Sequence, residues 1–180
     1  LQVLAFKLLA SHPRMPPDPR IRVGLIELLA DASGTAGMAG GQALDLQAEG
    51  RSLNVREIEQ VHALKTGALI RASVLMAAHC SNTIDASDLA ALGSFGAAIG
   101  LAFQIQDDLL DVEGDPTLLG KHTGSDESRA MPTYPAIAGM DGARERVREL
   151  HDRAASVLVQ HGWHDGPLSA LSDWMLTRSH

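Results

Sequence analysis

The stretch GLAFQIQDDLLDVEGD, residues 100–115, decides how this chain is read. Set on a helix, Gln104, Asp107, Asp108 and Asp111 stand at i, i+3, i+4 and i+7 and project from one face. Leu101, Ile105, Leu109 and Val112 lie around to another side. Five acids fall in the nine residues from Asp107 to Asp115. Two like charges about 6 Å apart at an effective dielectric of about 20 repel by roughly 3 kcal/mol, so three converging carboxylates require a counter-charge. Mg²⁺ is the natural candidate, since it takes oxygen ligands and binds through one or two carboxylates, waters and substrate phosphate oxygens. The plainer reading of such a run is a solvated acidic helix end. Two features favour the cation. The acids interrupt one of the most apolar stretches of the chain, AAIGLAFQIQDDLLDV. They also lead into a long irregular stretch from about Glu113 to Pro132, and loops of that length often carry function.

Working outward, the 180 residues, 45% apolar and 21% charged, suffice for one sizeable core and at most two domains. There are 26 alanines but only 3% aromatics, and the β-branched and aromatic runs that strands favour are missing. This pattern predicts an all-α helical bundle, with 17 glycines and eight prolines as punctuation. Helices are expected at about 1–11, 19–32, 34–48, 55–80, 86–112, 134–139, 142–161 and 167–178. Asn54 with Glu57 resembles a capping box, Asp18 precedes Pro19 at a first helical position, and Asp141 is placed to cap the helix that Gly162 ends.

A net charge of −7 with only 15 lysines and arginines argues against duplex nucleic acid or an anionic membrane as the main partner. One cysteine, Cys80, makes no internal disulfide framework, and no apolar run approaches the ~18 residues of a membrane span, so a cytoplasmic protein is expected. The opening LQVLAFKLLASHP reads as a helix already under way, without a cap before Leu1, so a preceding segment is expected.

Only three lysines stand against 12 arginines. Lys65, beside the Thr66 hydroxyl in HALKTGALIRA, and Lys121, in LGKHTGSD, both lie in glycine-flanked contexts. Either alone reads as a surface lysine. Together with the acidic face, their compact ammonium groups outline a cation, metal and anion site. In GMAGGQALDL, Gln42 and Asp45 are three apart behind glycines that suit either a crowded helix crossing or a functional approach. His161 and His164 straddle a helix end without a further ligand nearby, so a surface role is expected for them, as for His12, His79, His122 and His180.

In their order, QALDL, HALKTGALIRASV, GLAFQIQDDLLDVEGD and LGKHTGSD followed by TYPA resemble the C-terminal portion of the bacterial trans-isoprenyl diphosphate synthases, most nearly the farnesyl diphosphate synthase group. The resemblance covers essentially the whole chain, as the C-terminal part of one domain whose N-terminal part is absent from these 180 residues. It implies an isoprenoid-synthase-type all-α bundle around a central cavity, a homodimer, and Mg²⁺-dependent condensation of isopentenyl diphosphate with an allylic diphosphate. Mn²⁺ is the alternative ion. Asp107, Asp108 and Asp111 match a metal-binding aspartate motif, in which the first and last aspartates are the foremost ligands. Lys65 and Lys121 match lysines that hold the allylic diphosphate. Thr66 and Gln104 match polar groups near the allylic end and the transferred proton. Gln42 and Asp45 match a pair that supports the metal site, and Asp126 matches an acid of the loop.

Two departures qualify the resemblance. The family has a second aspartate-rich motif upstream, on a helix expected just before Leu1, and these 180 residues contain one DD pair only, at Asp107 and Asp108. The chain alone is therefore expected not to catalyse condensation. The other departure is SRAMPTYP, where Met131 occupies the place of a family lysine and Arg129 is the nearest cation able to substitute. A thioether cannot hold a diphosphate, so Met131→Lys is expected to raise turnover or lower KM for the allylic substrate. Unchanged kinetic constants would contradict that role.

Overall fold

A computed structural model describes residues 1–113 and 132–177. Lys121, Asp126, Arg129 and Met131 lie outside the described residues. The elements are α1 (Gln2–Ser11), α2 (Pro19–Ser33), α3 (Met38–Gln47), α4 (Val55–His62), a π-helical turn (Ala63–Gly67), α5 (Ala68–His79), α6 (Ala86–Glu113), α7 (Tyr134–Gln160) and α8 (Pro167–Thr177). No strand occurs among the described residues.

Local chemistry starts and stops these helices much as the sequence predicts. Asp18 accepts the Arg20 N–H at 2.8 Å with Pro19 at the first helical position. Asn54 takes the N–H groups of Arg56 and Glu57 at 2.9 and 3.1 Å, while Glu57 returns a bond to the Asn54 N–H at 2.8 Å. That reciprocal pair satisfies donors the helix cannot. Gly162 follows α7 at φ +70°, in the left-handed region open to glycine. One helix start differs from expectation. Gly37 leaves the helical region, so α3 begins at Met38 rather than residue 34. Gly139, at φ +76° and ψ 161°, breaks α7 internally at the gap expected between two helices. Asp141, expected as a cap, bonds the Arg144 guanidinium at 3.0 Å.

The core forms around α6, which packs most extensively on α7 and α5. Phe95, Ile99, Ile105 and Leu109 of α6 are buried with Val147, Leu150 and Leu158 of α7 and Ile58 of α4. Burying each such side chain contributes about 1.5–3 kcal/mol before entropy is counted. Val112, expected on the apolar side, is exposed. Two segments, Val55–His79 and Ala86–Glu113, contain 18-residue windows of mean hydropathy 1.2 and 1.4 and are long enough to cross a membrane. This corrects the expectation that no run approaches that length. In this fold α6 is the central core helix, so its apolarity is used inside the protein.

Glycines let the middle of the bundle close to backbone distance. A Cβ built at Gly41 of α3 would lie 2.2 Å from the Lys65 nitrogen, and one at Gly100 of α6 would lie 2.7 Å from the Gly67 Cα. One turn earlier, a Cβ at Gly96 would meet the Arg71 Cα at 2.9 Å. The π turn is thus gripped on both sides by backbone, and the GMAGG segment is a crowded crossing. Gly41→Ala should destabilise the chain by about 1–3 kcal/mol, because the obstructing atoms are main chain. Gly24→Ala, where the added methyl meets nothing within 4 Å, should instead stabilise it by up to ~1 kcal/mol. Thermal melts of the two variants check this contrast, and equal shifts would refute the packing account.

Candidate functional site

The gripped turn delivers polar side chains to one seam. Lys65 reaches α3, where its ammonium pairs with the Asp45 carboxylate. Asp45 is buried and Lys65 half-buried. An ammonium has three donors, so this pairing leaves it able to hold an anion as well. Gln42 lies on the same short helix, half-buried, one residue beyond the Gly41 contact.

On the other side, Thr66 Oγ1 donates to Gln104 Oε1 at 2.7 Å, and Gln104 Nε2 donates to Asp108 Oδ1 at 3.2 Å. The hydroxyl and the carboxylate together assign which end of the Gln104 amide faces which neighbour. Asp108 Oδ2 then takes two further bonds, from His62 Nε2 at 3.0 Å and from the Tyr134 backbone N–H at 2.8 Å. Asp108 is 5% exposed. A carboxylate that deep survives only with donors around it, and three stand among the described residues.

The three carboxylates that the spacing sets on one flank differ in burial. Asp107 is exposed and Asp111 half-buried, whereas Asp108 turns into the core. Among the described residues no group of three His, Cys, Asp or Glu is arranged to hold a metal ion. A helix presents i and i+3 or i+4 on one flank, but burying part of the face inside the bundle splits the set between solvent and core. Asp107 and Asp111 are the less buried acids of the three, hard oxygen donors one turn apart. That donor set fits Mg²⁺, which needs only one or two carboxylates when phosphate and water complete its shell.

Several residues of the site carry no signature in the sequence. His62 is buried, and its ring stacks near Tyr134 with centroids 6.5 Å apart. Tyr134 Oη donates to Glu59 Oε1 at 3.1 Å, and Glu59 also accepts Arg146 Nε at 2.8 Å and Nη2 at 3.3 Å. Glu59, His62 and Thr66 recur at helical spacing along one segment, which is the pattern that could have drawn attention to them. His161 pairs with Asp88 at 3.1 Å and stacks on Trp163, a structural role at a helix end rather than a metal site.

A family model described as polyprenyl synthetase matches residues 1–158. The farnesyl diphosphate synthase of Escherichia coli (strain K12) is 43% identical over 182 residues, covering 99% of this chain and 61% of that protein. The protein of the same name from Geobacillus stearothermophilus is 39% identical over 183 residues, covering 100% and 60%. Among solved structures, an FPP/GFPP synthase from Zymomonas mobilis superposes with a TM-score of 0.81 at 34% identity, covering 97% of this chain and 57% of that one. A geranyltransferase from Helicobacter pylori, complexed with magnesium and isoprenyl diphosphate, gives 0.79 at 30%, covering 97% and 55%. The chain spans about 60% of the length of these two curated relatives.

Burial pushes the His62 pKa down to about 4, against the opposing pull of the Asp45 carboxylate and with the help of the Lys65 ammonium. The imidazole is therefore neutral near pH 7, and its bond to Asp108 is a hydrogen bond from Nε2–H rather than an ion pair. The unfolded chain protonates this histidine near 6.5 and the folded chain only near 4, so stability is full above the first value and lost as pH falls toward the second. The loss is up to roughly 3 kcal/mol. Melting temperature should fall more steeply between pH 6.5 and 4 in the native chain than in His62→Gln. Parallel profiles would contradict the assignment.

Proposed function

Because the chain belongs to the polyprenyl synthetase family, we propose that the whole protein is a Mg²⁺-dependent prenyltransferase that condenses isopentenyl diphosphate with an allylic diphosphate, giving geranyl and farnesyl diphosphate. The observation that supports this reading is that the π turn carries both Lys65, paired with Asp45, and Thr66, bonded through Gln104 to Asp108 of α6. Magnesium and an isoprenyl diphosphate in the Helicobacter pylori relative support it.

Each residue then has a stated task. Asp107 and Asp111 are the groups that would hold Mg²⁺. When bound, the ion neutralises charge developing on the departing diphosphate. Lys65 places a positive charge toward the same diphosphate, with Asp45 keeping the ammonium oriented and Gln42 alongside. Lys121 and Arg129 are proposed as further cations at the diphosphate, and Asp126 as a supporting acid. The allylic carbon–oxygen bond breaks and the double bond of isopentenyl diphosphate attacks the resulting cation. A proton is then lost to the released diphosphate, with Thr66 and Gln104 near its path. Apolar walls of the bundle exclude water that would quench the cation. A cytoplasmic homodimer completes the proposal.

Met131 in place of a family lysine favours a second reading, a non-catalytic partner subunit of the same fold. A terpene cyclase is disfavoured by the scarcity of aromatic side chains, 3% of the chain, since rings often steady migrating cations. The protein expressed from its full reading frame and given labelled isopentenyl diphosphate, dimethylallyl diphosphate and Mg²⁺ should yield linear prenyl diphosphates on a chromatogram. Cyclic hydrocarbons would establish the cyclase, and unreacted substrate the subunit. Asp107→Ala should lower turnover by ~100-fold or more, the scale of removing one preorganised electrostatic partner. Retained turnover would defeat the metal assignment.

A further inference from the structure

We propose that His62 and Tyr134 are positioning residues for the Asp107–Asp111 face: by holding Asp108 between them, they fix the rotation of the α6 end and thereby its affinity for a divalent cation with a diphosphate. The inference rests on the metal reading above and adds residues that the family resemblance does not assign.

The argument starts from Asp108. Its two oxygens face three donors from three elements: His62 at the end of α4, Gln104 within α6, and the first N–H of α7 at Tyr134. Asp107 is the preceding residue and Asp111 lies three beyond Asp108, so pinning Asp108 leaves the helix end no freedom to roll. The two outside donors are themselves held. Tyr134 stacks on His62 and donates to Glu59, Glu59 sits one turn before His62 on α4, and Arg146 of α7 closes on the same carboxylate. Glu59 and His62 of α4, Asp108 of α6, and Tyr134 and Arg146 of α7 thus form a closed circuit. A single hydrogen bond between helices would permit sliding, whereas a circuit through three helices does not. Burial strengthens the two bonds that reach Asp108 from His62 and the Tyr134 N–H, because a competing water would have to enter the core.

The circuit touches neither the exposed carboxylate of Asp107 nor Lys65, so its effect on a bound ion is indirect. Outer groups of this kind orient the ligands, and their loss typically costs ~10–100-fold in metal affinity. The test is calorimetric titration of inorganic pyrophosphate into the purified protein in Mg²⁺ buffer, with no turnover involved. His62→Leu, which removes the donor, should weaken binding by about 10-fold, while His62→Gln, whose amide can still donate, should stay within about threefold of the native protein. Tyr134→Phe keeps the ring and the backbone N–H but releases Glu59, and should weaken binding by about threefold to fivefold. It supplies the reading if His62→Leu does not fold. Leu158→Ala, a buried truncation in α7 that lowers stability, should leave binding unchanged. No Mg²⁺-dependent binding to the native protein would overturn the metal reading together with this inference. Native binding combined with unaffected Tyr134→Phe and His62→Leu, or with losses that merely follow melting temperature across all four variants, would overturn the positioning role alone.

Discussion

The structure depends on backbone meeting backbone at the π turn. Gly41 on one side and the Gly67–Gly100 contact on the other bring α3, Ala63–Gly67 and α6 closer than any side chain permits. At that separation the short side chains of Thr66 and Gln104 reach one another, and the longer Lys65 reaches Asp45. A regular α-helical segment would carry a different register through these residues. The extra residue of a π turn re-aims those that follow, and such turns recur at functional sites. The glycines are therefore as much part of the site as the charged groups, although none of them touches a ligand in the proposed reaction.

Tight packing also settles the electrostatics. A buried aspartate is costly without partners, and Asp108 is retained because helix ends from two sides supply donors. Its burial separates the acidic run into an internal anchor and an outer pair. Neutral His62 contributes a donor without a second charge, so the anchor adds no cation that would compete with a metal at Asp107 and Asp111. The same arrangement ties the first residue of α7 to the acidic end of α6, so the two longest helices share one fixed point beside the candidate site. Arg144 adds a surface pairing with Glu113 at the last turn of α6.

Much of this was legible in the sequence, and what was not has a physical reason. Helix starts with chemical caps, at Asp18 and Asn54, could be read directly, as could the stop at Gly162, because a few neighbouring residues decide them. The alanine-rich, aromatic-poor composition pointed to close helix packing. The residues of the seam, Lys65, Thr66, Gln104 and the aspartates, stood out by residue type and spacing. The roles within the aspartate run did not, because helical periodicity places Asp107, Asp108 and Asp111 on one flank and cannot say where the core surface cuts across it. The π turn was invisible for the same reason, since ALKTG has no local feature that excludes an α-helix. His62, Glu59 and Arg146 escaped notice because their partners lie 46, 75 and 87 residues away along the chain.

The most direct test of the account is a crystal structure of the protein with Mg²⁺ and inorganic pyrophosphate. The account predicts ions on Asp107 and Asp111, pyrophosphate between them and the Lys65 ammonium, and Asp108 still bonded to His62 and the Tyr134 N–H. Ions ligated by Asp108, or pyrophosphate bound away from Lys65, would contradict it.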